Sequence, residues 1–158
     1  MLSIDARLAR IEAIEAIRAQ VARYAIAADR GNDPMLFEKL YAETATWEAR
    51  GFGRYEGRSE ILPAMVEIGR TRMLWTTHYN VAPLIEVDDD LSQARCRWYL
   101  WELARMAQPD GVRDQWIAGT YDTRLARHGE EWLFVEVNLD LRLITGTSQP
   151  SFGDKRNV

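Results

Sequence analysis

The chain has 158 residues and a formal net charge of −4, from 20 basic and 24 acidic side chains. A chain of this length is expected to form one domain and to bury enough apolar surface to fold without disulfides. Its single cysteine, Cys96, excludes an intrachain disulfide and a cysteine-based metal cluster. The acidic balance argues against nucleic-acid and anionic-membrane surfaces. The N-terminus is not signal-like, and no apolar run reaches the length of a membrane span, so we expect a soluble, cytoplasmic protein.

The N-terminal part of the chain favours helices. Apolar residues at spacings of three and four predict a helix over residues 3–29, capped by Ser3 or Asp5. Gly31 follows the last periodic residues, where a helix end favours glycine. An Asp-Pro pair then suits the first positions of a second, short helix, predicted from Pro34 to Tyr41.

The remaining chain predicts mainly strands. Residues 44–48 and 54–56 suit a short strand pair, and a third helix is expected from Ser59, as its cap, to Arg70. Four long extended runs follow, separated by turn-forming residues: 74–87, 91–107, 112–127 and 131–144. Helices followed by antiparallel strands predict an α+β fold, in which a curved sheet around a helix leaves a pocket. We expect residues 1–145 to form this domain and 146–158 a C-terminal tail, frayed or lying against a neighbouring subunit.

Alternation along two of the strands places polar residues beside apolar ones. Glu102 shares a strand face with Trp98, Leu100 and Ala104, and burying a carboxylate without a partner is costly. Such a residue marks a strand end in solvent, an ion pair with an arginine, or a functional site, and alternation alone does not choose between them. The last strand is expected to present one clean apolar face, made of Leu133, Val135, Val137, Leu139 and Leu141.

Three side chains are candidates for acid–base chemistry. His78 lies in an aromatic strand and is either a general base or a hydrogen-bonded core histidine. Asp29 closes the first helix, where the macrodipole disfavours a carboxylate, so it is either compensated by a partner or simply exposed. Tyr24, about 140° round that helix from Asp29, is compatible with plain core. Because no phosphate loop, zinc-protease or serine-hydrolase motif is present, we expect proton transfer with no cofactor and no metal.

Several runs of the chain resemble a known family. The resemblance covers residues 5–145 and is carried by the runs 23–33, 40–47, 55–61, 77–80 and 119–122. They resemble SnoaL-like domains of the nuclear-transport-factor-2-like superfamily, with the nearest patterns in bile-acid 7α-dehydratases and scytalone dehydratases. This resemblance implies a cystatin-like α+β barrel, in which three N-terminal helices pack in a strongly curved, mainly antiparallel sheet. The superfamily also contains isomerases, dehydrohalogenases and non-catalytic binding proteins, so function stays more open than fold.

The resemblance also implies site residues. The catalytic Tyr, Asp and His of the dehydratases fall on Tyr24, Asp29 and His78, and substrate-binding acidic and basic residues fall on Glu102 and Arg142. Candidate pocket walls are the large apolar residues Trp47, Phe52, Met65, Trp75 and Trp98. We therefore expect a cofactor-independent lyase, a dehydratase or a related eliminating or deformylating enzyme, acting on a hydroxylated, hydrophobic aromatic or polycyclic molecule. A ketosteroid-type isomerase and a non-catalytic binding module are the alternatives.

A stripe on one strand predicts self-association. Tyr99, Trp101 and Leu103 alternate on the face opposite Glu102, together with Arg97. A large apolar stripe of this kind is unusual on a monomer, and the family commonly forms dimers or trimers. We expect a homo-oligomer with a small-molecule substrate and no nucleic-acid or membrane partner.

Overall fold

The computed structural model describes residues 3–146. Along the chain the elements are α1 (Ile4–Asp29), α2 (Pro34–Glu38), β1 (Tyr41–Ala49), β2 (Gly53–Glu56), α3 (Arg58–Thr71), β3 (Met73–Val87), β4 (Gln93–Gln108), β5 (Gly111–His128) and β6 (Glu131–Gly146). The strands form one sheet in the order β2-β1-β6-β5-β4-β3. All neighbours are antiparallel except β1 and β6, which are parallel. The predicted α+β class is confirmed, and the sheet is mixed because of this one parallel pair.

The long helix α1 packs against the sheet, mainly on β3. Its N-terminus is capped as predicted, since the Ser3 hydroxyl accepts a hydrogen bond from the Ala6 N–H at 3.2 Å. The buried side of α1 includes Ile17, Val21 and Tyr24. Within residues 3–146, no helix combines the length and the apolar character needed to cross a membrane. The tail predicted over residues 146–158 lies outside the described residues from position 147 onward.

Two predicted helix boundaries are wrong. The second helix ends at Glu38, not Tyr41, because the Leu40 carbonyl accepts a hydrogen bond from Phe134 of β6 at 2.8 Å and draws the chain into the sheet. The third helix is capped by Gly57, not Ser59. Gly57 donates to the Ala45 carbonyl at 2.7 Å and turns with a φ of 85°, which glycine tolerates, so the helix starts at Arg58.

The face pattern predicted for β4 is correct, whereas the one predicted for β6 is wrong at Leu133 and Val135 and correct at Val137 and Leu139. Trp98, Leu100, Glu102 and Ala104 are all buried on one face of β4. In β6, Phe134 and Trp132 are buried, whereas Leu133 and Val135 are only half-buried. Leu125 pairs with Phe134 and Arg124 with Glu136, so Val135 is the extra residue of a bulge. The bulge exchanges the two faces, and beyond it Val137 and Leu139 point inward as predicted.

Candidate functional site

The end of α1 meets β3 through Asp29 and His78. Asp29 Oδ1 lies 2.6 Å from His78 Nδ1, and the His78 backbone N–H donates to Oδ1 and Oδ2 at 3.0 and 3.1 Å. The Thr76 hydroxyl donates to Oδ1 at 3.1 Å. These donors compensate a carboxylate at the unfavourable end of the helix macrodipole. With Asp29 accepting at Nδ1, a neutral imidazole carries its proton there and leaves Nε2 unprotonated.

A bulge in β3 determines which residue lies opposite His78. Val87 pairs with Ala94, and counting back along a regular hairpin would put His78 opposite Leu103. Instead, Ala82 and Pro83 share one position of β4, the register moves by one, and His78 pairs with Glu102. Pro83 lacks an N–H and is tolerated because β3 lies at the edge of the sheet. The bulge thus places an imidazole and a carboxylate side by side, since directly opposed residues have Cβ atoms about 5 Å apart.

Glu102 and His78 form a buried, coupled acid–base pair. Glu102 Oε2 lies 3.5 Å from His78 Nε2, and both side chains are at least nine-tenths buried. Burial raises the pKa of Glu102, His78 opposes this, and the charge of Asp29 adds to it. Burial alone would lower the pKa of His78, but Glu102 and Asp29 together raise it above its ordinary value. The pair therefore carries one proton, which is lost as the pH rises through the raised pKa of His78.

Tyr24 contributes a buried hydroxyl to the same region. Its side chain is fixed by edge-on ring contacts with Phe37, at 5.3 Å, and with Tyr121, at 5.4 Å. The Trp47 indole N–H donates to the Tyr24 hydroxyl oxygen at 2.9 Å. Burial raises the pKa of Tyr24, and the neighbouring Tyr41, Trp47 and Tyr121 oppose this. The hydroxyl therefore stays protonated at neutral pH and is available as a donor.

These groups face a small, mainly apolar cavity between the end of α1 and the sheet. Its volume is about 60 Å³. Six polar residues line it: Tyr24, Asn32, Thr76, His78, Glu102 and Tyr121. Apolar walls are provided by Ala28, Phe37, Trp47, Ala49, Phe52, Met65, Ile68, Met73, Ile117, Leu139 and Leu141. No lysine or arginine among the described residues lines this cavity.

One wall of the cavity is the turn between β1 and β2. Phe52 lies on this turn, and the Arg72 guanidinium lies 4.1 Å from the centre of its ring. Arg72 also donates to the Gly51 carbonyl at 2.9 Å, so the end of α3 fastens the turn. A cavity that holds a benzene ring measures about 150 Å³. Since this cavity is smaller, a ring-sized ligand requires part of the wall to move, and we expect this part to be Phe52, which is half-buried on the turn.

Most of the predicted site residues come together at this cavity. Asp29 lies behind His78, and the residues that line the cavity are Tyr24, Trp47, Phe52, Met65, His78 and Glu102. Thr76 and Tyr121 were not predicted, although both follow from alternation, since Thr76 is two residues from His78 and Tyr121 is four from Ile117 on an inward face.

Three predicted site residues lie elsewhere. Arg142 is exposed and pairs with Asp140, because it is the extra residue of a bulge between the pairs Gly119–Leu141 and Ala118–Leu143. Trp75 is half-buried and alternates with Thr76, so it does not line the cavity. Trp98 is buried, but it stacks on Tyr121 at 4.8 Å behind the cavity wall. The interpretation of these three as substrate-binding residues is therefore corrected.

The site does not have the arrangement of a metal centre. Across residues 3–146 no group of three or more His, Cys, Asp or Glu side chains is placed to hold a metal ion. Asp29 and Glu102 instead contact opposite nitrogens of one imidazole, which is an arrangement for holding and moving a proton.

Solved structures share this architecture across nearly their whole length. A hexachlorocyclohexane dehydrochlorinase from Novosphingobium barchaimii LL02 is 20% identical, has a TM-score of 0.79, and the match covers 96% of this chain and 99% of that one. A scytalone dehydratase-like protein from Novosphingobium aromaticivorans is 20% identical, with a TM-score of 0.73 and 99% of both chains covered. A nuclear-transport-factor-2-like protein from Salmonella enterica is 18% identical, with a TM-score of 0.73, covering 94% of this chain and 99% of that one. At these identities the likeness concerns the fold.

The family is established by sequence. None of the curated proteins matches the chain. The profile of the SnoaL-like domain, however, matches residues 9–138, which is most of the chain. The resemblance to SnoaL-like domains is confirmed, and the chain belongs to the SnoaL-like domain family.

Proposed function

We propose that this protein is a cofactor-independent lyase that eliminates water, or a related small group, from a hydroxylated, hydrophobic molecule. The observation that carries the proposal is the 2.6 Å contact between Asp29 and His78 beside a mainly apolar cavity. A general base needs a fixed tautomer and a place for the substrate next to it; this contact supplies the first and the cavity supplies the second. Fold neighbours named as a dehydrochlorinase and a dehydratase-like protein support the same class of reaction.

The proposed reaction assigns one role to each group. In the neutral form of His78, which is present once the pH exceeds its raised pKa, Nε2 removes a proton from the substrate carbon, and Asp29 stabilises the imidazolium that forms. The electron pair released from the C–H bond forms the double bond as the C–O bond breaks. Tyr24 gives its proton to the departing hydroxyl, which leaves as water. The proton on His78 then returns to the Tyr24 phenolate, and the site is restored.

The experiment replaces His78 by Ala and, as a matched control, the exposed His128 by Ala. A positioned base contributes about 10²–10⁴-fold, so His78→Ala should lower turnover by at least about 10²-fold while His128→Ala leaves it unchanged. Turnover is followed by the mass of the product in a panel of hydroxylated aromatic and polycyclic compounds. Near-wild-type turnover of a converted compound by His78→Ala would refute the role of the base.

The same measurement separates the alternatives. An isomerase is the second candidate, because the protonated Tyr24 hydroxyl could stabilise an enolate formed by the same proton transfer. An isomerase product has the mass of the substrate, a dehydratase product is lighter by one water, and a deformylase product is lighter by one formaldehyde. A compound that binds in the cavity and is never converted indicates a binding module.

A further inference from the structure

The buried carboxylate of Glu102 has one oxygen that the protein leaves unpaired. Glu102 is 3% exposed, and its Oε1 has no hydrogen-bond partner. Its other oxygen, Oε2, lies beside His78 Nε2 at 3.5 Å. Buried polar groups in proteins nearly always find partners, and a buried acceptor without one destabilises the fold. Because Glu102 lines the cavity, a molecule in the cavity is the partner available to Oε1.

This oxygen is an acceptor in either location of the shared proton. When the proton is on His78 Nε2, Glu102 is ionised and both its oxygens accept. When the proton is on Oε2, between Glu102 and His78, Oε1 is the carbonyl oxygen of the acid and still accepts. Oε1 is therefore an acceptor for a molecule that reaches it from the cavity.

The charges around the cavity disfavour a negatively charged ligand. Asp29 and Glu102 bring two carboxylates to His78, and no lysine or arginine of residues 3–146 lines the cavity to balance a further negative charge. Arg142, the basic residue expected at this site, lies outside it and pairs with Asp140. A carboxylate or phosphate group on a ligand would meet like charge among mainly apolar walls, where water screens charges less than it does in bulk solvent.

We propose that Glu102 is the specificity-determining residue of this site and selects uncharged ligands that donate a hydrogen bond, such as phenols and alcohols. Anionic ligands are excluded by charge, and halogenated or plain hydrocarbons bind weakly because they leave Oε1 unpaired. The proposal rests on the proposed function in placing the substrate in this cavity. It also separates this chain from its dehydrochlorinase neighbours, since hexachlorocyclohexane has no O–H or N–H to offer.

The test measures dissociation constants for three one-ring probes of similar size: phenol, toluene and benzoate. Binding is followed by NMR titration of the wild-type protein and of Glu102→Leu and Glu102→Gln. A hydrogen bond to a charged group corresponds to about 10- to 100-fold in affinity, so wild type should bind phenol at least about tenfold more tightly than toluene. Benzoate should bind more weakly than either.

The two variants separate the hydrogen bond from the charge. In Glu102→Leu the preference should reverse in favour of toluene, since the acceptor is gone. In Glu102→Gln the exclusion of benzoate should relax, since the charge is gone. The same panel on Phe52→Ala, in which the wall is opened, shows whether probe entry limits the wild-type result. Any one of three results overturns the proposal. The first is a phenol-to-toluene affinity ratio that Glu102→Leu leaves unchanged, and the second is benzoate bound as tightly as phenol. The third is the absence of a phenol preference in both the wild type and Phe52→Ala.

Failure of this proposal and failure of the proposed function are distinguishable, because the probes bind without being converted. If His78→Ala retains turnover while the phenol preference persists, the catalytic role fails and the selection by Glu102 stands. If His78→Ala abolishes turnover and the phenol preference is absent, the catalytic role of His78 stands and the selection by Glu102 fails.

Discussion

Replacing Asp29 by Asn tests the contact on which the site depends. The carboxylate of Asp29 accepts from His78 Nδ1, from the His78 backbone and from Thr76. An amide oxygen in the place of Oδ1 keeps the contacts of that oxygen with Thr76 and with His78 Nδ1, and the amide nitrogen takes the place of Oδ2, which accepts only from the His78 backbone. The substitution therefore removes the negative charge beside the imidazole. A protonated His78 loses the stabilisation that this charge provides, whereas a neutral His78 loses little.

The cost of Asp29→Asn therefore depends on pH. Hydrogen bonds to charged groups contribute about 1.5–3 kcal/mol, which corresponds to a fall in melting temperature of about 3–12 °C in a chain of this size. Asp29 and Glu102 raise the pKa of His78 above its unfolded value of 6.5, so this stabilisation is fully present below pH 6.5 and is lost as the pH rises through the folded pKa. Asp29→Asn should be strongly destabilising at about pH 5.5 and nearly neutral at about pH 9.

Urea unfolding at both pH values measures this difference. A matched control is Asp140→Asn, which removes an equal charge from the exposed ion pair with Arg142 and should change stability by less than about 1 kcal/mol at either pH. The imidazole NMR signal of His78 reports the tautomer and should titrate at a lower pH in Asp29→Asn, with the exposed His128 as a reference signal. A destabilisation that is the same at both pH values, or a His78 titration that does not move, would refute the reasoning.

Three further predictions concern Trp47, Phe52 and the exposed face of the sheet. Trp47→Phe keeps an aromatic wall but removes the hydrogen-bond donor to Tyr24, so it should raise the pKa of Tyr24 further and lower the free energy of unfolding by about 0.5–1.5 kcal/mol. Tyrosinate absorbance measures the first effect and urea unfolding the second. An unchanged tyrosine titration would contradict this prediction. Phe52→Ala should speed the binding of one-ring ligands in stopped-flow experiments, because it removes the wall that must move, whereas an unchanged rate would mean that entry lies elsewhere. The exposed aromatic face of the sheet, with Tyr99 62% and Trp101 39% exposed, should associate with a second copy of the chain, so light scattering should give a mass above 18.2 kDa that Trp101→Glu lowers. A monomer mass for the wild type at micromolar concentration would contradict the last prediction.

Local chemistry made much of the fold predictable from the sequence. The helix α1, its Ser3 cap and the inward face of β4 follow from spacing and alternation, because each depends on residues close in the chain. The second helix was predicted too long because its end is determined by a backbone hydrogen bond from Phe134 to Leu40, about ninety residues apart. No local pattern near Leu40 contains that information.

The candidate site was predictable to the extent that it follows strand alternation. Once Glu102 is on the inward face of β4, its burial follows, and Thr76 joins His78 by the same rule. The prediction that Arg142 lies at the site failed because Arg142 is the extra residue of a bulge and has no paired residue on β5. Alternation along the sequence does not reveal an extra residue of this kind. Trp98 faces inward as alternation predicts, yet it fills the core behind Tyr121, and depth within a face is not encoded in periodicity.

The irregular positions of the sheet are where the site is made. A regular β3 would put Leu103 opposite His78, and Tyr79 in place of His78 opposite Glu102. The extra residue that prevents this is Ala82, whose φ of 52° is a left-handed conformation that costs an L residue about 1–2 kcal/mol. Glycine would adopt this φ without that cost. The extra residue also shifts the rest of the strand by one position, which exchanges its two faces. The chain tolerates this local cost, and its result is an imidazole with a carboxylate at each nitrogen beside an apolar cavity. A proline in the middle of a long strand, Pro83, was the one mark of this bulge that the sequence displayed.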